Sequence, residues 1–177
     1  EGGPTDDDPS DHIRTLAHAV IDAGADVFMG HGPHLDRGIE IYQGKPVLYS
    51  LGNFIIQNDT VLRMPHESMV LNGLGHEATA ADLFDARRPA ASPRPSGLDP
   101  HHQGAVATVV FASGRLSEIR LHPIEFGEGL PRGQFGRPML SSGPAAQATL
   151  ERFQRLSAPF GTVLTVKGDI GRIALPG

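Results

Sequence analysis

Apolar residues recur along the chain at two periods, and the switches between those periods mark out its elements. Over residues 10–24, Ile13, Leu16, Ala17, Val20 and Ile21 fall at i, i+3, i+4, i+7 and i+8, which lays them along one stripe of a helix. Ser10 stands where a cap is expected, Asp11 suits the positive end of the dipole, and Gly24 can end the last turn. His18 lies off the stripe and reads as a flank residue. The run ADVFMG (25–30) follows within two residues, as a strand does after a tight helix–strand turn in a mixed or parallel sheet. IEIY (39–42) and VLYSLGNF (47–54), joined by the turn QGKP (43–46), read as a hairpin with Gly44 freeing the turn.

From about 57 to 103 the periodicity fades. ARRPAASPRPSGLDPHH is rich in Ala, Pro and Ser and reads as a flexible insertion, with a short helix near 78–87. Pattern returns in AVATVVFASGRLSEIRLHPIEF, where SGR (113–115) joins a β-branched strand to one carrying Leu116, Ile119 and Leu121. Pro144 suits the first turn of a helix over about 144–157, whose stripe is Ala146, Leu150, Phe153 and Leu156. TVLTVKGDIGRIAL closes as a last hairpin turning at Gly168-Asp169. The fold class is α/β (α+β), with more strand than helix.

At 177 residues the chain fits one domain with a core of useful size. It has no cysteine, so a metal would have to be held by His, Asp, Glu or Asn. Net charge is −5, and the only basic cluster is Arg87-Arg88, so nucleic acid is not an expected partner. No apolar run approaches the roughly 20 residues that span a bilayer, and no signal-peptide pattern occurs in these residues. The opening EGGPTDDDP reads as a piece of a longer protein.

Candidate chemistry centres on GHGPH (30–34), a loop leaving the carboxyl end of an apolar strand, where open α/β sheets place their ligand sites. Imidazole is a good ligand for Zn, Mn or Fe, but two histidines fall short of the three protein ligands that a site needs. Spacing alone leaves His31 and His34 open between metal ligands and solvent-facing loop residues. Asn53 ends a strong strand, where an amide caps a turn, ligates a metal or orients a substrate; Asp36 and Asp26 are candidate carboxylates behind the histidines. His101 and His102 sit in the Pro-rich stretch and read as exposed. His66-Glu67 and His76-Glu77 do not give HExxH, His122 reads as a sheet-edge residue, and Ser157 has no GxSxG elbow. No P-loop or GxGxxG occurs.

The block LAHAVIDAGADVFMGHGPHLDRGIEIYQGKPVLYSLGNFI, dense over about residues 14–56, resembles the CapA family of capsule (poly-γ-glutamate) biosynthesis proteins, which are similar to the calcineurin-like metallophosphoesterase superfamily. GRLSEIRLHPIEF, GRPML and LERFQRLSAPFGT continue the likeness more loosely. The resemblance implies the C-terminal part of a four-layer αββα sandwich whose two-metal site lies at the sheet ends. GHGPH would correspond to that superfamily's terminal Gly-His-x-His motif, giving His31 and His34 a metal-ligand role, with Asn53 and Asp36 as substrate-orienting or supporting neighbours. Family members commonly carry His where this chain has Gly32. No Asp-x-His, Gly-Asp or Gly-Asn-His motif of the kind that supplies the earlier ligands precedes GHGPH in this chain.

The resemblance therefore implies a hydrolase or transferase with two divalent cations (Mn, Fe or Zn), completed by an N-terminal part of the same domain. The alternative is a non-catalytic component that binds or guides an anionic polymer, poly-γ-glutamate, within a membrane synthesis and export complex. Arg37, Arg115, Arg132 and Arg137 are the cations available to such a polymer. The isolated chain is expected to be inactive, and an absent N-terminal segment to anchor the protein outside the cytoplasm.

Overall fold

Val47, Leu48 and Tyr49 are consecutive and all buried, which places them on a strand covered on both faces. In the computed structural model, which describes residues 7–87, 100–128 and 130–175, that strand is the centre of a small mixed sheet. Strand β3 (Lys45–Leu48) pairs antiparallel with β2 (Ile39–Tyr42) and parallel with the short β1 (Phe28–Met29). Gln43 and Gly44 join β2 to β3 with φ of 51° and 74°, the two left-handed residues that a tight hairpin turn needs.

Side chains alternate across this sheet. Val47 and Tyr49 face helix α1 (Asp11–Asp22), meeting Ala17 and Ile21, while Leu48 and Ile39 face the other way into the larger core. The α1 stripe is narrower than its sequence suggests. Leu16 is 44% exposed, because the sheet is met along the Ile13, Ala17, Ile21 line. Ser10 occupies the cap position with extended backbone, yet its side chain makes no capping bond.

A second sheet contains β4 (Gln103–Ala112), β5 (Arg115–Glu125), β8 (Ile170–Ala174) and β7 (Thr165–Lys167) in that order, with β6 (Met139–Leu140) pairing β5. Ser113 and Gly114 turn the β4–β5 hairpin with positive φ, and Gly168 turns β7–β8. Leu116 and Ile119 are three apart, yet both are buried. Ser117 is the extra residue of a bulge opposite Val110/Phe111, which resets the phase of the strand. Helix α4 (Gly143–Ser157) lays Leu150 and Phe153 into one core with Ile39, Leu48 and Leu51 of the small sheet and Ile119, Leu121 and Ile173 of the large one.

The two sheets meet at a seam. Asp36 bridges Leu51, extending the small hairpin, and Gly52 bridges Gly104 of β4. A Cβ on Gly104 would lie 2.5 Å from the Asn53 carbonyl oxygen and 2.8 Å from that of Leu51, so the crossing tolerates no side chain there. Within the excursion from 57 to 103, α2 (His66–Leu71) and α3 (Ala80–Ala86) form, the second with a Thr79–Asp82 capping box, and Met69, Ala80 and Leu83 are buried. Its most proline-rich part, 88–99, lies outside the described residues. The architecture is α+β with one mixed and one antiparallel sheet; the described residues do not close the four-layer order that the family resemblance implied.

Candidate functional site

The 30–34 loop leaves β1 at the small sheet's edge, its start fixed by a Gly30 N–H donated to Leu48 O at 2.8 Å. The two glycines here have different duties. Gly30 passes so close to Tyr49 that a Cβ would sit 2.5 Å from the Tyr49 carbonyl oxygen, whereas Gly32 has open space around it but φ of 121°. His31 and His34 are both exposed, and His34 holds φ of 57°, a left-handed conformation unusual for a residue with a side chain.

His34 meets Asn53, with Nδ1 2.7 Å from Asn53 Oδ1. The Asn53 amide nitrogen donates to the carbonyl of His101 at 2.9 Å and, more weakly, to that of His34 at 3.4 Å. Three segments distant in sequence thus converge on one amide. Beside them His102 Nδ1 stands 2.7 Å from Glu128 Oε1, with its ring edge-on to Phe135, so His102 is half-buried rather than exposed.

Asp36, two residues beyond His34, turns inward. It is fully buried and, among the described residues, neither carboxylate oxygen accepts a hydrogen bond from the histidines or any other group. Its nearest cation is Arg152 of α4, whose Nε stands 3.9 Å from Oδ2, and Arg152 also bonds Asp7 through Nη2. Burial pushes the Asp36 carboxyl up to about 7; Arg152 pulls it down and Asp7 pushes it up, both by less. Asp26 is exposed and pairs with Lys45 at 3.3 Å, so it supports neither histidine.

Metal binding can be tested on the donor set itself. Among the described residues no three His, Asp or Glu side chains converge on one point. The two loop imidazoles are fewer than the three protein ligands that a zinc-type site requires. These residues alone therefore do not fit a two-metal centre. Arg37 is buried, Arg115 is exposed at the β4–β5 turn, Arg137 is exposed with Nη2 on Met139 Sδ, and the Arg132 side chain lies outside the described residues.

A second polar cluster sits on the α1 side. His18 is no bystander: its ring stacks on Tyr42 at 3.8 Å, and Nε2 lies 3.0 and 3.1 Å from the two Glu40 oxygens. Tyr49 donates its hydroxyl to Glu40 at 2.6 Å, and burial together with that carboxylate pushes the phenol pKa up. The spacing of 22 residues between His18 and Glu40 gives no local signal.

Residues 1–58, which include the whole histidine loop and Asn53, match the family model for the bacterial capsule synthesis protein PGA_cap. The PGA biosynthesis protein CapA of Bacillus subtilis is 41% identical over 48% of this chain and 24% of its own length. The chain is homologous to the CapA capsule-biosynthesis proteins. An uncharacterized protein of Sinorhizobium fredii, y4sH, is 38% identical over 99% of this chain, and the chain spans 39% of that relative's length. A probable polyglutamine synthesis accessory protein of Mycobacterium tuberculosis is 54% identical over 40 residues. The CapA homology thus extends to relatives considerably longer than the chain.

Proposed function

We propose that this chain is a non-catalytic, polymer-handling part of a protein of capsular poly-γ-glutamate biosynthesis. The observation that carries the reading is the family match over residues 1–58, combined with a histidine loop that brings two imidazoles and, among the described residues, no third ligand. Poly-γ-glutamate carries a carboxylate on every unit, and a chain of net charge −5 repels it at long range. Contact would then be local, through exposed cations such as Arg115 and Arg137 and through backbone N–H groups of the loops. The partners in this reading are the polymer, the remainder of the same protein and a membrane synthesis complex. No helix among the described residues is long and apolar enough to cross a membrane, so an anchor would come from outside them.

A second reading is favoured by one feature, the left-handed His34 held by Asn53, since such backbone strain concentrates at functional sites. Here His31 and His34 are two ligands of a metallophosphoesterase-like centre holding Mn, Fe or Zn, with the remaining ligands supplied by residues beyond this chain. Such cations would supply Lewis-acid activation of water and of a phosphoryl oxygen.

The two readings separate in one experiment on the full-length protein and its His31→Ala, His34→Ala double variant. Sedimentation with labelled poly-γ-glutamate and phosphodiester hydrolysis with added Mn are measured side by side. The polymer-handling reading expects polymer binding in both proteins and equal background hydrolysis. Mn-dependent hydrolysis abolished in the double variant, with no polymer binding in either, would overturn it.

A further inference from the structure

The hydrogen bonds around Asn53 decide which nitrogen of His34 carries the proton. Asn53 Nδ2 points at two backbone carbonyls, His101 O at 2.9 Å and His34 O at 3.4 Å. Carbonyls only accept, so the amide cannot be turned over without setting its own oxygen against both of them. The amide orientation therefore follows from the backbone. Asn53 Oδ1, also an acceptor only, then lies 2.7 Å from His34 Nδ1. That contact is a hydrogen bond only if Nδ1 bears the hydrogen. In a neutral imidazole one nitrogen donates and the other accepts, which leaves Nε2 bare.

We propose that Asn53 is a positioning residue that, clamped by the carbonyls of His34 and His101, holds neutral His34 in its Nδ1–H form and presents the Nε2 electron pair outward. A free histidine side chain favours the opposite, Nε2–H, form, so the amide works against the ring's own preference. The left-handed backbone at His34 serves the same arrangement: φ of 57° costs about 1–2 kcal/mol for an L-residue, and the bond to Asn53 helps offset that cost. His101, carried at the far end of the 57–103 excursion, acts through its carbonyl alone in this scheme. The assignment stands on hydrogen-bond chemistry and holds under either reading of function given above.

Two-bond proton–nitrogen NMR spectra of the protein labelled with 15N at histidine read the tautomer directly. The spectra are recorded at pH about 8, above the value of about 6.5 for a free imidazole. His34→Gln identifies the resonance. The expected result is an Nδ1–H pattern for His34 in the parent protein and a change to the Nε2–H pattern in Asn53→Ala. An Nε2–H pattern in the parent protein, or an Nδ1–H pattern that survives Asn53→Ala, would overturn the proposal. Should the alanine variant lose its fold, seen as movement of the His18 and His102 signals, the parent spectrum still decides.

Discussion

Replacing Asp36 by Asn should stabilise the protein, and by an amount that depends on pH. The carboxyl is fully buried, accepts no hydrogen bond and has Arg152 at 3.9 Å as its nearest cation, shared with Asp7. Desolvation therefore outweighs attraction, and the carboxyl is pushed up from 3.8 to about 7. A raised pKa means that the native state holds this proton where the unfolded chain has lost it. Between pH about 4 and 7 the native state thus binds more protons, and stability falls as pH rises through that window, levelling off above it. At about 1.4 kcal/mol per pKa unit, the full penalty is about 4 kcal/mol by pH 8. Asparagine has nearly the same shape and no charge to desolvate, and Arg152 keeps Asp7. Urea unfolding of Asp36→Asn and the parent protein should give matching stabilities near pH 4 and a variant more stable by about 2–4 kcal/mol at pH 8. A difference that does not change with pH, or a parent protein more stable than the variant at pH 8, would refute the reasoning. Either result would mean that the attraction to Arg152 at least matches the cost of burial.

Three further substitutions probe the frame that holds the site. Gly104→Ala forces a Cβ against two backbone carbonyls at the seam and should cost about 1–3 kcal/mol in chemical denaturation; an unchanged midpoint would mean that the crossing is looser than described. Phe153→Ala empties the centre of the core shared by α4 and both sheets, with an expected loss of about 3–5 kcal/mol in the same assay. Tyr49→Phe removes the hydroxyl donated to Glu40 at 2.6 Å and should cost about 1.5–3 kcal/mol, the range for a hydrogen bond to a charged group; a loss below about 0.5 kcal/mol would show that water replaces it freely.

The local half of this structure was readable in the chain because its signals are local. Gln43-Gly44, Ser113-Gly114 and Gly168-Asp169 are turn pairs whose backbone needs are met by the residues themselves, and the β2–β3, β4–β5 and β7–β8 hairpins form around them. The stripe of α4 holds for the same reason, since Ala146, Leu150, Phe153 and Leu156 are all buried. What could not be read there depends on crossings. Leu16 fits the α1 stripe by period yet is exposed, because the angle at which the sheet meets the helix decides its burial. His18 breaks the stripe and is nonetheless held, by a strand 22 residues further on.

The candidate site divides in the same way. The histidine loop was legible from GHGPH and its flanks, and the pairing of His34 with Asn53 joined two residues already singled out. The inward turn of Asp36 follows from the seam between the sheets, which no single motif encodes. The carbonyl of His101 reaches Asn53 across 48 residues, most of them in a stretch without periodicity, so only the fold reveals it.

That long excursion leaves and re-enters the molecule at one place. It departs after Asn53 and returns at Gln103, with Gly52 bridging Gly104 and the Ala105 N–H bonded to Leu51 O at 2.9 Å. Its ends are thus stapled by backbone bonds whatever lies between them, and loop-closure entropy adds only about 0.6 kcal/mol for each doubling of length. The seam is a natural socket. Excursions of different length and composition could be exchanged there between relatives, or a reporter domain grafted in, without disturbing either sheet. What any replacement must return to the socket is a backbone carbonyl at position 101, where it can keep hold of Asn53.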